Sequence, residues 1–419
     1  VHDLAYSYAR AQADEAEHHR ALDACLAYVE RHRDPKPEHF MALRSELDNF
    51  TGAANWAMTV ERYGDVQKFA NWLYISLDTD GAEGFLHLQG YAGLATTLLN
   101  QAAKASEMLK QYEQQAGFLG SLGSAYRDLG QIKTGMKFYR EALKIYRDLH
   151  DTAGEGITLG RLGIAHRLQG QAQPAIEHLE EALAIARKVG NQQAEGINLA
   201  NLGIAYRLMG EAEKAITHLE AALSITQARG DKRGEAINLG NLGDIYREQD
   251  KLEDAIRIYE RALALAQGRN DKRGGGINLG RLGDAYRGLK QHVRAMEYLE
   301  QALRIARETG DKRGEAINLG RLGDTYRDLG RLSEAIQYHE RGLHIAQQMD
   351  DKRGEGFGLA DLAEDYRMQG ENGRAIELFQ QARVIFEGLG MPHRVAHIDK
   401  GIQQITDGRV ITSAPPESD

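Results

Sequence analysis

The chain has one cysteine, Cys25, in 419 residues. It therefore forms no internal disulfide, and a lone thiol suits a reducing compartment. A cytoplasmic setting is expected, with Cys25 as a small buried residue. Proline is also scarce: there are six, most of them outside the central part of the chain. That fits an almost wholly helical chain, because proline breaks helix interiors. Valine and threonine are too sparse for sheets. No apolar run is long enough to span a bilayer and none of the given residues reads as a signal peptide, so no membrane contact is expected. The formal charge is -9 and the pI near 6.0, which disfavours a general nucleic-acid surface.

The motifs of catalysis and cofactor binding are missing too. No GxxxxGK[ST], HExxH or zinc-like cysteine cluster occurs. His18 and His19, near Cys25, read as a solvated helix face. Asp78-Thr79-Asp80-Gly81 has too few oxygen ligands for a calcium loop and reads as a turn. Asn49-Phe50-Thr51 matches the glycosylation sequon but falls in an expected helix. No nucleophile and base stand in a recognisable arrangement. The expectation is a non-enzyme with no metal and no cofactor. The chain begins at Val1 rather than Met, and a longer parent protein is expected.

What the sequence has in abundance is repetition. Residues 195–231 read EGINLANLGIAYRLMGEAEKAITHLEAALSITQARGD, and nearly the same text returns every forty residues. One tripeptide can be followed from Ala125-Tyr126-Arg127 to Asp365-Tyr366-Arg367 with no insertion or deletion. A fixed period of this kind marks a solenoid. Each unit reads as two amphipathic helices. Leu199, Leu202 and Tyr206 stripe the first, which Gly210 stops; Ala215, Ile216, Leu219, Ala222 and Ile225 stripe the second. Gly203, Gly243, Gly283 and Gly323 lie inside first helices, where glycine costs roughly 1 kcal/mol against alanine. Their recurrence predicts close helix approach, as does the series Ala215, Ala255, Ala295, Ala335 and Ala375. At the junctions, Asp231-Lys232-Arg233-Gly234 and its copies supply an N-cap.

These residues resemble a tetratricopeptide repeat: Leu202, Gly203, Tyr206, Ala215, Leu219 and Ala222, then Leu242, Gly243, Tyr246, Ala255, Tyr259 and Ala262. The family's early Trp is Leu199 here, its closing Pro is absent, and the unit is forty residues rather than the usual thirty-four. The resemblance implies an all-α, right-handed superhelix of helix pairs. The N-terminal segment carries a second resemblance. Glu46, Asn49, Phe50, Ala53, Ala54, Trp56 and Ala57 look like the start of the helical sensor region in bacterial STAND-type signal-transduction ATPases. His2-Asp3-Leu4, with Ala5, Tyr8 and Ala9, looks like that family's exit from a winged-helix module. The expected division is a helical segment over 1–72, a solenoid over 73–390 and a capping helix with a disordered tail over 391–419. The solenoid comprises a degenerate first repeat over 73–112 and seven full units, and Val395, Ile398, Ile402 and Ile405 form the capping stripe.

By the family resemblance, the first helices line the concave face. Position two is isoleucine in Ile157, Ile197, Ile237, Ile277 and Ile317; position five is Gly or Ala throughout. Position six includes Arg161, Asn201, Asn241, Arg281 and Arg321; position nine includes Asp244, Asp284 and Asp324. Asn can pair with a peptide backbone and Arg can grip a carboxylate. Two readings stay open. These residues bind a protein or peptide in the groove, or they form an internal ladder, with Arg281 and Asp284 satisfying each other three apart on one helix. One arginine per unit, from Arg127 to Arg367, reads as favourable with the helix dipole and capping carbonyls, or else as an anion-binding series. The functional expectation is a sensor domain that controls an upstream NTPase, with an intramolecular contact to it. The alternative is a free-standing scaffold that holds a peptide.

Overall fold

The structure is a computed structural model, and it describes residues 15–32, 42–74, 92–349, 351–389 and 391–408. The opening His2-Asp3-Leu4 stretch, the Pro35 and Pro37 break, the Asp78–Gly81 turn and the tail from Thr412 lie outside the described residues. Among the described residues every regular element is an α-helix, and the fold is the right-handed tetratricopeptide-like solenoid that the period predicts.

Two compact units divide the chain, Val1–Ala194 and Glu195–Asp419. The first holds α1 (Glu15–Arg31), α2 (Leu47–Thr59), α3 (Tyr63–Tyr74) and α4 (Ala92–Met108). Two helix pairs follow: α5 (Tyr112–Asp128) with α6 (Ile132–Asp148), and α7 (Thr152–Leu168) with α8 (Ala172–Lys188). At the division lies α9 (Gln192–Leu208). The second unit continues with α10 (Ala212–Ala228), then α11 (Lys232–Glu248) and α12 (Leu252–Gly268), α13 (Lys272–Gly288) and α14 (His292–Glu308). It ends with α15 (Lys312–Asp328) and α16 (Leu332–Gln348), α17 (Lys352–Gln369) and α18 (Asn372–Gly388), and α19 (Pro392–Thr406).

The local chemistry explains these boundaries. Asp231 Oδ1 accepts the Gly234 N–H at 2.8 Å, and Asp151, Asp271, Asp311 and Asp351 do the same three residues on. Each satisfies a donor that the first turn of a helix leaves unpaired. Gly210 has φ 78°, the left-handed conformation that ends a helix at little cost for glycine.

Packing within each pair depends on the internal glycines. A Cβ on Gly203 would lie 2.6 Å from Leu219 Cγ and 3.0 Å from the Ala215 carbonyl oxygen; one on Gly243 would lie 2.5 Å from the Tyr259 ring. Ala215, Ala255, Ala295, Ala335 and Ala375 are fully buried on the facing helices. Gly243→Ala should therefore destabilise the chain by about 1–3 kcal/mol through overpacking, although alanine is the better helix former by roughly 1 kcal/mol. Urea unfolding measures it, and an unchanged or raised midpoint would contradict the close approach.

In the first unit one hydrophobic core runs from Leu22 to Ala142, with Phe50 and Phe69 fully buried. His18 and His19 are not a solvated face: both rings lie against Trp56, at centroid separations of 5.5 and 4.8 Å. The indole is a large flat surface that stays half-exposed unless something covers it. Cys25 is buried, and burial, then the nearby Glu46 charge, push its thiol up to about 12. At neutral pH it is an unreactive thiol. In the second unit, α19 covers α18, and Ile398 is buried against Phe379 and Phe386.

Within each unit, the first helices of successive pairs approach one another more closely than the second helices do. That wedge puts the first-helix faces on the concave side. No described helix is long and apolar enough to cross a membrane.

Candidate functional site

Ile157, Ile197, Ile237, Ile277 and Ile317 are all 46–51% exposed. A large aliphatic side chain left half in water at one register of five successive units is not a packing residue. Each stands four residues before position six, so the two share a stripe of the first helix. Between Ile277 and Ile317 a cavity of about 100 Å³ is also lined by Arg273, Ile305, Asn318 and Arg321.

The polar positions pair between units. Arg281 grips Asp244 of the preceding unit with two bonds of 3.1 Å, from Nε and Nη2, and reaches Asn241 Oδ1 at 3.5 Å. Arg207 reaches the same carboxylate at 3.0 Å, and the Tyr259 hydroxyl donates to it at 2.8 Å. Burial raises the Asp244 carboxyl, but Arg281 and Arg207 outweigh burial and hold it below the usual carboxylate range. One unit on, Arg321 Nε lies 2.9 Å from Asp284. The pairing of Arg281 with Asp284 along one helix is thus corrected: each pairs across the stack. The glycine at position five explains why. A Cβ on Gly240 would run into the Arg281 guanidinium, and one on Gly280 into that of Arg321. These glycines leave room for the arginine to lie across the preceding helix. Arg161 lies over Gly120 in the same way in the first unit. Asn201 bonds within its own helix, to the Ile197 carbonyl at 2.8 Å.

Three of the arginines near the first-helix ends serve the same joints. Arg207 meets Asp244, Arg287 meets Asp324 at 3.3 Å, and Arg327 meets Asp365 at 2.5 Å. These three reach acids of the following unit, because the next first helix brings a full charge within reach, whereas Arg127 and Arg367 pair with Asp128 and Glu364 on their own helices. Arg327 adds a bond to the Asp361 carbonyl at 2.9 Å.

Asp324 belongs to a different cluster, which sequence reasoning missed. His339 on α16 is 1% exposed and Asp365 on α17 is fully buried. His339 Nδ1 lies 2.6 Å from Asp365 Oδ2, and Nε2 lies 3.0 Å from the Gly320 carbonyl oxygen and 3.6 Å from Asp324 Oδ1. Both ring nitrogens face acceptors, so both carry protons. Burial opposes that charge, but Asp324 and Asp365 outweigh it and raise the imidazole to about 9. The signal was in the register. Where His339 stands, the earlier units read Tyr139, Leu179, Leu219, Tyr259 and Leu299; where Asp365 stands, Ala285 and Thr325 precede it. Also passed over were Asn198, Asn238, Asn278 and Asn318, buried beside the exposed isoleucines. Asn278 and Asn318 accept from Arg281 and Arg321 at 3.4 and 3.3 Å.

Comparison with known proteins begins with solved structures of the same fold. Aspartyl phosphate phosphatase F from Bacillus subtilis superposes with a TM-score of 0.57 at 15% identity, over 81% of this chain and 94% of that one. The Rap conjugation gene regulator of plasmid pLS20, solved with the Phr* peptide, gives 0.56 at 14%, over 87% and 98%. A STAND protein with a tetratricopeptide repeat sensor from Pyrococcus horikoshii gives 0.52 at 17%, over 96% of this chain; the chain spans 57% of that protein. No curated protein matches the sequence. The family model for the tetratricopeptide repeat matches residues 113–188, 195–268 and 277–348, together more than half of the chain. The chain belongs to the tetratricopeptide repeat family.

Proposed function

We propose that the chain is a regulatory module that binds a peptide or an extended protein segment along its first-helix faces. The exposed isoleucine register carries this reading. It offers apolar contact at a fixed interval, flanked by polar groups that orient a backbone: Asn201 and Asn241, then the paired Arg281 and Arg321. Asp244 and Asp284 hold those guanidinium groups in place, which is the preorganisation that binding favours. In the first unit, Arg161 beside Ile157 offers the same combination. Two Rap-type structures of similar fold support the reading, one of them holding a peptide.

The test uses peptides selected on the full chain from a displayed random library. Ile237→Ser, Ile277→Ser and Ile317→Ser combined should weaken them roughly 100-fold, at about 1 kcal/mol for each half-exposed isoleucine. Undiminished binding would remove the isoleucine face from the account.

A second reading is favoured by one observation. The archaeal STAND protein aligns over 96% of this chain, N-terminal helices included. There the module would be the sensor of a larger ATPase, and trigger binding would release an upstream nucleotide module by preferring one of its states. The sequence encoded upstream of Val1 decides this: without a phosphate-binding loop and a winged helix there, the sensor reading fails.

A further inference from the structure

The inter-unit joints repeat until the last step, where the chemistry changes sign. Asp244 is met by Arg281 and Asp284 by Arg321, each arginine from position six of the following unit. The residue that should meet Asp324 is Asp361. Asp324, His339 and Asp361 each present a ligand atom within 4.8 Å of the others. Two carboxylates therefore stand where the earlier joints have a carboxylate and a guanidinium. The backbone around them keeps the earlier form. Position five is still glycine, Gly320, and no side chain lies within 4 Å of a Cβ built there, whereas a guanidinium lies against Gly120, Gly240 and Gly280. Asp324 and Asp361 are both half-buried, so solvent reaches them.

We infer that Asp324 and Asp361, with the space beside Gly320, form a receptor for the guanidinium of an arginine side chain carried by a bound peptide. This inference rests on the peptide-binding reading above. The incoming arginine would lie as Arg281 and Arg321 lie in their own joints, across a glycine and against a carboxylate one unit away. The planar, forked donor set of arginine fits two carboxylates better than a point charge does. A metal ion is disfavoured by His339, whose two nitrogens are both engaged with acceptors and leave no lone pair for coordination. The ion pairs agree. Arg287 and Arg327 reach Asp324, Arg327 and His339 serve Asp365, and Arg367 serves Glu364, whereas among the described residues no ion pair reaches the Asp361 carboxylate. Burial and the Asp324 charge raise Asp361 to about 6. The groups facing it are Asp324 and Arg327 on α15, His339 on α16 and Asp365 on its own helix.

The test titrates the full chain with N-acetyl-arginine amide and follows the carbon-labelled imidazole of His339 by NMR. A saturable shift is expected, at least tenfold stronger than with the neutral citrulline analogue. It should weaken roughly fourfold from pH 7.5 to 5.5 as Asp361 takes up a proton. Asp361→Arg, which restores the earlier joint, should abolish it. Gly320→Ala, whose methyl meets no neighbour, should weaken it at least tenfold while the fold stays intact. A response equal for arginine and citrulline, or unchanged in Asp361→Arg, overturns the inference. So does micromolar Zn²⁺ binding at the same histidine. These outcomes are independent of the isoleucine test. Selected peptides that bind through the isoleucines without an arginine would sink this inference and leave the general reading standing; an arginine response with no peptide binding would do the reverse.

Discussion

Replacing His339 by leucine should destabilise the second unit by about 3 kcal/mol or more. Leucine fits the position sterically, since Leu299 stands there one unit earlier, fully buried. The loss is electrostatic. Asp365 is fully buried and bonds to His339 at 2.6 Å and Arg327 at 2.5 Å; without the imidazolium, a buried carboxylate keeps one partner. Asp365→Ala alone should cost a similar amount, because it strands a buried imidazolium N–H. The two together restore the apolar composition of the preceding units, Leu299 with Ala285 or Thr325 as models, while Arg327 keeps Asp324 at 3.0 Å. The double variant should fall within about 1 kcal/mol of the parent, giving a coupling on the order of 3 kcal/mol. Urea unfolding with amide exchange on α16 and α17 measures all four corners. Simple additivity would mean that the two residues do not act as a pair.

The same histidine should make stability fall with alkaline pH. Its imidazole is raised to about 9 from an ordinary value of 6.5, so the folded chain binds the proton more tightly than the unfolded chain does. That contribution is complete below about pH 6.5 and is lost as pH rises through 9, at up to about 1.4 kcal/mol per unit. The total is on the order of 3 kcal/mol for a side chain this deeply buried. Asp361 works in the same sense but in a lower window. Its raised carboxyl favours the fold at low pH, and that contribution is gone once pH passes about 6. Between pH 7 and 9.5, therefore, the parent should lose roughly 3 kcal/mol more than the His339→Leu, Asp365→Ala double variant. Parallel pH profiles for the two proteins would rule out a protonated, paired His339.

What could be read from the residues was whatever the forty-residue period states directly. The helix pairs, the internal glycines against Leu219 or Tyr259 and the Asp231-type caps all depend on neighbours within one unit. A local pattern reveals them. The partner of Arg281 was hidden because it lies 37 residues away, and only the rise of one unit over the next decides between Asp244 and Asp284. The partners of Arg207, Arg287 and Arg327 were hidden for the same reason. His339 and Asp365, 26 residues apart, are legible only by reading columns across units, where both depart from apolar residues in the same turn of the stack.

The joints also decide how the array can change length. Deleting residues 273–312 would set Asp244 against Arg321, the same acid and the same base that meet in the intact chain. Unequal exchange within the gene can therefore add or drop a middle unit and still leave a matched seam. Deleting 313–352 would set Leu299 where His339 stands, against the buried carboxylate of Asp365. The penultimate unit is thus fixed in place by the partner it gives Asp365, and growth or shrinkage of the array is confined to the units before it.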